Sequence, residues 1–299
     1  MAVQKLTTTT TPVEQRPLLG VGLMVLAMLG LPIMDAAAKY MSGRIPTIEL
    51  VWARFFFHTM LLTPLALWHY PVRALVPQRA GLQTYRALMI LCATALFFRA
   101  VASMPLADTL AVFFIYPFVI TALAPWVLGD RVGVWRWTAT IIGFVGALVI
   151  IQPGFATLSY GVLFAIGAGL CYSFYALSTR KLAGLDRPFV TLYFTGVVGL
   201  VVTSCLLPAV WVMPGPGDWA LMALIGLVSA GGHYCVIRAS ENAPASLLAP
   251  LAYIEIISAT LLGYFIFADL PDRTTWIGIA IIVASGAVIA WREKVRGVA

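Results

Sequence analysis

The chain has 299 residues, of which 61% are hydrophobic and only 10% charged, with a net charge of +7. Soluble domains carry about a quarter charged residues, so a soluble globule is excluded: too few polar side chains are available to clothe its surface. The basic residues sit one to three at a time between apolar runs, not in the patch or stripe that a nucleic-acid face needs, so nucleic acid is excluded as a partner and lipid takes its place.

Residues 1–17 are polar, with a threonine run from Thr7 to Thr11 and prolines Pro12 and Pro17, and read as a disordered cytoplasmic tail. A bilayer core of about 30 Å needs about 20 apolar residues per helix. Ten runs approach or meet that length: 18–40, 47–70, 84–102, 106–128, 135–151, 158–181, 188–211, 218–239, 245–267 and 272–291. The first is too long for the core of a cleaved leader. The connectors carry turn chemistry, such as Gln152-Pro153-Gly154 and Pro214-Gly215-Pro216-Gly217. With the N-terminus inside, fourteen Lys and Arg fall on the cytoplasmic side and four outside, with Arg54 within the second run. That asymmetry predicts both termini in the cytoplasm.

The two halves resemble one another. At a constant offset of 139, Pro105 meets Pro244, Asp130 meets Asp269 and Trp137 meets Trp276; at 141, Gly20 and Lys39 meet Gly161 and Arg180. The expected architecture is an all-α membrane protein of about ten transmembrane helices in two five-helix repeats, 18–151 and 158–292. Five is odd, so the second repeat enters the membrane inverted, as in many secondary transporters.

Several short motifs carry a family likeness. They are Ala53-Arg54-Phe55, Ala107-Asp108-Thr109-Leu110, Tyr116-Pro117, Leu128-Gly129-Asp130-Arg131, Ala243-Pro244-Ala245-Ser246, Pro250-Leu251-Ala252-Tyr253 and Phe267-Ala268-Asp269. In order and spacing, from about 18 to 292, they resemble the ten-helix EamA-like branch of the drug/metabolite transporter superfamily, most of all its YddG-type amino-acid exporters. Asp130 and Asp269 depart from the glutamate usual in that pattern. The resemblance implies export of amino acids or related metabolites across a bacterial inner membrane.

An ionisable residue deep in a membrane is expensive and reads as functional. Glu255 falls mid-way along the ninth run, and the 139 offset pairs it with Tyr116 in the fourth. Glu255, with Tyr116 and Tyr253 beside it, is the leading candidate for substrate binding or coupling; packing as a protonated acid is the competing role. His233 and Tyr175 are further candidates. Arg54 is suited to a substrate carboxylate, and His58 shares its face one turn on. Pro117 and Pro250 interrupt the fourth and ninth runs and are hinge candidates. Asp35 and Lys39, four apart, read as an ion pair or an outer gate. Aromatic residues including Phe97, Phe113 and Tyr172 are candidates for a cavity wall.

The expected function is secondary transport by alternating access, with protons as one possible coupling ion. No GxxxxGK[ST] motif is present for direct ATP drive. A multidrug exporter of lipophilic cations is the alternative within the same superfamily. An intramembrane enzyme is a remote one: no HExxH or GxSxG occurs, and His58, His69 and His233 are scattered. The four cysteines lack metal spacing, so no metal and no cofactor is expected.

Overall fold

A computed structural model describes residues 16–129, 133–151, 159–182, 185–243 and 248–295. The tail 1–15, Asp130 and Arg131, the connector 152–158 and the start of the ninth run at 244–247 lie outside them. Among the described residues there is no strand. The helices are α1 (Pro17–Met41), α2 (Thr47–His69), α3 (Ala80–Val101), α4 (Leu106–Phe113), α5 (Tyr116–Leu128), α6 (Val134–Ile151), α7 (Tyr160–Lys181), α8 (Pro188–Leu206), α9 (Pro216–Asn242), α10 (Ile254–Phe267) and α11 (Arg273–Val295). Three short 3-10 turns, Val72–Leu75, Leu207–Ala209 and Ala249–Tyr253, join them.

Seven spans among the described residues are long and apolar enough to cross a membrane. They are α1, α2, α3, the α4–α5 segment 106–128, α7, α8 with its 3-10 turn, and α9. Segments 251–267 and 273–285 are apolar but shorter. Both faces of the spanning helices are apolar. On α1, Met24, Ala27, Met28 and Leu31 are buried while Leu18, Leu26 and Leu29 are exposed. A helix apolar all round needs lipid on its outer face, and its backbone groups must be satisfied within the helix.

The fourth run is broken. α4 ends at Phe113 and α5 begins at Tyr116, because Pro117 has no N–H to donate to the carbonyl of Phe113. Gly169 of α7 fits against that carbonyl: a Cβ there would lie 2.9 Å from the Phe113 oxygen. The ninth run is also irregular, opening as the 3-10 turn that contains Pro250 before α10 starts.

Helix contacts follow the offset between the halves. α1 packs along α9, and α7 packs along α3; α2 packs on α8, and α6 on α11. Exchanging the halves maps the first pair onto the second and the last two onto themselves. The close approaches agree. A Cβ on Gly20 would meet the Ala243 Cβ at 2.6 Å, and one on Gly161 would meet the Met104 Cγ at 2.6 Å.

Candidate substrate cavity

A cavity of about 160 Å³ lies among helices of both halves. One water needs only about 10–15 Å³, so the space takes a solute. α1 contributes Met24, Met28, Leu31, Met34 and Asp35; α2 contributes Arg54; α3 contributes Thr94 and Phe97. Phe113 and Tyr116 come from the two sides of the α4–α5 break, Tyr172 from α7, His233 from α9 and Glu255 from the first turn of α10.

Arg54 is 5% exposed and held on three sides. Its Nε donates to Ser229 Oγ at 3.0 Å, one terminal nitrogen to Thr94 Oγ1, and the other to His233 Nε2 at 3.0 Å. A guanidinium cannot accept, so His233 accepts at Nε2 and carries its own proton on Nδ1. Each terminal nitrogen of Arg54 keeps one N–H for a ligand. The anchors lie on α3 and α9, so the cation is fixed in place before any ligand arrives.

The aromatic wall is a linked cluster. Tyr116 and Tyr172 meet edge to face at 4.7 Å, Phe113 lies 5.2 Å from each, and Phe97 is 5.1 Å from Phe113. These contacts fix ring orientation, because edge-to-face pairs are favoured over free rotation.

Five of the residues expected to bind, couple or gate therefore converge, Glu255, Tyr116, His233, Arg54 and Asp35, beside the expected wall residues Phe97, Phe113 and Tyr172. The others lie outside the lining. Tyr253 stacks on Phe114 at 5.6 Å. Tyr175 lies one ring beyond Tyr172, where Arg86 donates to its hydroxyl at 3.2 Å and sits over its ring. His58 packs against α8, where a Cβ on Gly196 would be 2.9 Å from its Cδ2. Pro117 lies in the first turn of α5 and Pro250 in the 3-10 turn before α10.

One reading changes. Lys39 does not turn back to Asp35: its ammonium donates to Asp269 at 2.8 Å and to the Met104 carbonyl at 2.7 Å. Asp35 turns into the cavity instead. Arg86 is 4% exposed and lies within α3, bonded to Thr179, Gln83, Thr195 and Tyr175. Thr94 and Ser229, which anchor Arg54, carried no signal in the sequence, since lone hydroxyls are ordinary in membrane helices.

A model of the EamA-like transporter family matches residues 18–152 and again residues 159–291. The chain belongs to the EamA-like transporter family. Its relatives include an S-adenosylmethionine uptake transporter of Rickettsia prowazekii, 24% identical over 92% of this chain and 93% of that one. A riboflavin transporter of Vibrio cholerae is 27% identical over 94% and 96%, and the pseudopaline exporter CntI of Pseudomonas aeruginosa is 27% identical over 92% and 97%. A crystal structure 19% identical to this chain, covering 91% of it and 98% of its own, superposes with a TM-score of 0.66 and shares the fold. This EamA-family chain is thus a membrane transporter for small metabolites and not an enzyme.

Proposed function

We propose that the chain is a secondary carrier, in a bacterial inner membrane, for small metabolites bearing an amino-acid-type head group. The observation that carries this is Arg54, buried and pre-oriented in a cavity walled by both halves. A carboxylate is the ligand group that a guanidinium matches best. A lipophilic cation brings no anion to Arg54, so it leaves the buried guanidinium unmatched, which weighs against that cargo. S-adenosylmethionine ends in an α-amino-acid group, so the substrate named for one relative and the amino acids expected from the sequence share the chemistry this cavity offers.

Alternating access fits the two-fold contact pattern, with each half moving against the other around a central site. The full topology is ten crossings in two inverted repeats, with both termini in the cytoplasm. Such a carrier is reversible. Export, as expected from the sequence, is one of two directions that the solute gradient or a proton gradient selects.

The test is uptake and counterflow in liposomes holding the purified chain, with labelled S-adenosylmethionine, riboflavin and leucine. Saturable flux above that of empty vesicles, lost in Arg54→Met, is the expected result. Flux equal to empty vesicles for every solute sinks the carrier reading. A fluorescent protein fused to the C-terminus of the chain should glow in cells; a dark fusion at normal expression places that end outside and refutes the even number of crossings.

A further inference from the structure

We propose that Asp35 and Glu255 form one subsite for an organic ammonium group, beside the carboxylate site at Arg54. The inference rests on the carrier reading of the cavity and names the second half of the substrate it takes.

Asp35 is 5% exposed, faces the cavity and accepts no hydrogen bond from a described residue. Glu255 faces the same space and likewise accepts none. Glu49, by comparison, accepts from the Val212 N–H at 3.0 Å through one oxygen, and Asp269 accepts from Lys39 at 2.8 Å. A buried carboxylate is costly unless donors or a cation meet it. Asp35 and Glu255 have neither among the described residues, and both face the cavity.

Charge gives the ligand its sign. Two carboxyl groups and one guanidinium face the same space. An ammonium ligand draws both carboxyls into the ionised form, and the three side chains then carry one more negative charge than positive. An ammonium group cancels that excess and offers three N–H donors to two carboxylates. The rings of Tyr116 and Phe113 line the same space, and aromatic faces favour a cation. An organic cation fits better than a metal ion, since among the described residues no three His, Cys, Asp or Glu gather as ligands. Arg54 and the acid pair together then select a zwitterion.

The test is equilibrium binding to the full chain in lipid nanodiscs, followed by titration calorimetry. Three probes share an isobutyl group and differ in head group: leucine, its 2-hydroxy acid analogue and 3-methylbutylamine. Leucine should bind at least tenfold more tightly than the hydroxy acid, and the amine should compete with it. Asp35→Asn and Glu255→Gln should each weaken leucine tenfold or more and leave the hydroxy acid bound as tightly or more tightly, since each removes a negative charge from its surroundings. Equal binding of leucine and hydroxy acid overturns the proposal, as do both variants binding leucine like wild type. Should a variant not fold, the three probes on the wild-type chain decide alone. Binding by none of the three also overturns the subsite, while flux of riboflavin in vesicles would leave the carrier standing.

Discussion

Arg54 bonds to hydroxyls and a ring nitrogen on α3 and α9 rather than sitting in a short ion pair. Arg54→Lys keeps the charge but offers one nitrogen in place of three in a plane. It cannot reach Ser229, Thr94 and His233 together, so its position is lost. Flux in liposomes should fall more than tenfold. Melting should shift by the loss of one or two hydrogen bonds from a charged donor, about 1.5–3 kcal/mol each. A lysine variant that transports like wild type would mean the planar fork is not what the substrate meets. Glu255 was legible in the sequence, because an acid mid-way along an apolar run has few other uses. Asp35 was legible as a charge but not by its partner. Spacing of four shows which residue an acid can reach along its own helix; Asp269, which takes Lys39, is 230 positions away.

Glycines separate at the scale of helices. Gly226 and Gly231 both lie within α9. In the structure, a Cβ on Gly226 would lie 2.2 Å from the Phe57 Cβ and 2.9 Å from the His58 nitrogen, whereas Gly231 has nothing within 4 Å. Gly226→Ala should therefore force α2 and α9 apart at a cost of about 1–3 kcal/mol. Gly231→Ala should be neutral, or stabilising by up to about 1 kcal/mol, through the lower helix propensity of glycine. Melting in detergent checks both, and equal losses at the two sites would refute the close approach. At the start of α11, Asp272 accepts from the Thr275 N–H at 2.7 Å and from Thr274 Oγ1 at 2.9 Å. The Thr275 backbone bond holds its carboxyl below the usual carboxylate range. Its folded pKa is depressed, so its stabilisation is present above about pH 4 and is lost as pH falls through the lower folded value. Asp272→Ala should cost about 0.5–2 kcal/mol at neutral pH, a gap from wild type that closes in acid. The existence and order of the helices were legible from run length, and Pro117 flagged the break in the fourth run. Pro250 likewise flagged the irregular start of the ninth run, though the 3-10 form of residues 249–253 was not legible from it.

Across the whole molecule, the halves are tied at the end where α1 meets α2. Lys39 joins Asp269 and the Met104 carbonyl, Arg44 joins Asp218 at 2.7 Å, Glu49 receives the Val212 N–H, and Trp52 Nε1 donates to Ser204. At the other end Gln78 and Gln83 tie α3 to Asp186. The repeat was readable in sequence because an offset survives even when most side chains differ. These ties were not, since each pairs residues more than 60 positions apart. Of them, the Lys39 bridge spans the most connections: the end of α1, the α3–α4 connector and the α10–α11 connector. In the alternating-access cycle proposed above, this closure opens once per turn, so its strength sets how often that end is open. The pair is partly exposed, with side chains 15% and 33% accessible, and is worth about 1 kcal/mol or less. Losing it should raise the open fraction by up to about fivefold. A cysteine at Leu106, buried at the start of α4, reports that opening in a chain whose four native cysteines are replaced by serine. Its reaction with a membrane-impermeant thiol reagent should quicken several-fold in Asp269→Asn and equally in Lys39→Met. The double variant should be no faster than either, because both remove one bridge. Unchanged labelling in both single variants would show that the bridge only packs the connectors; additive acceleration would show that the two residues act apart.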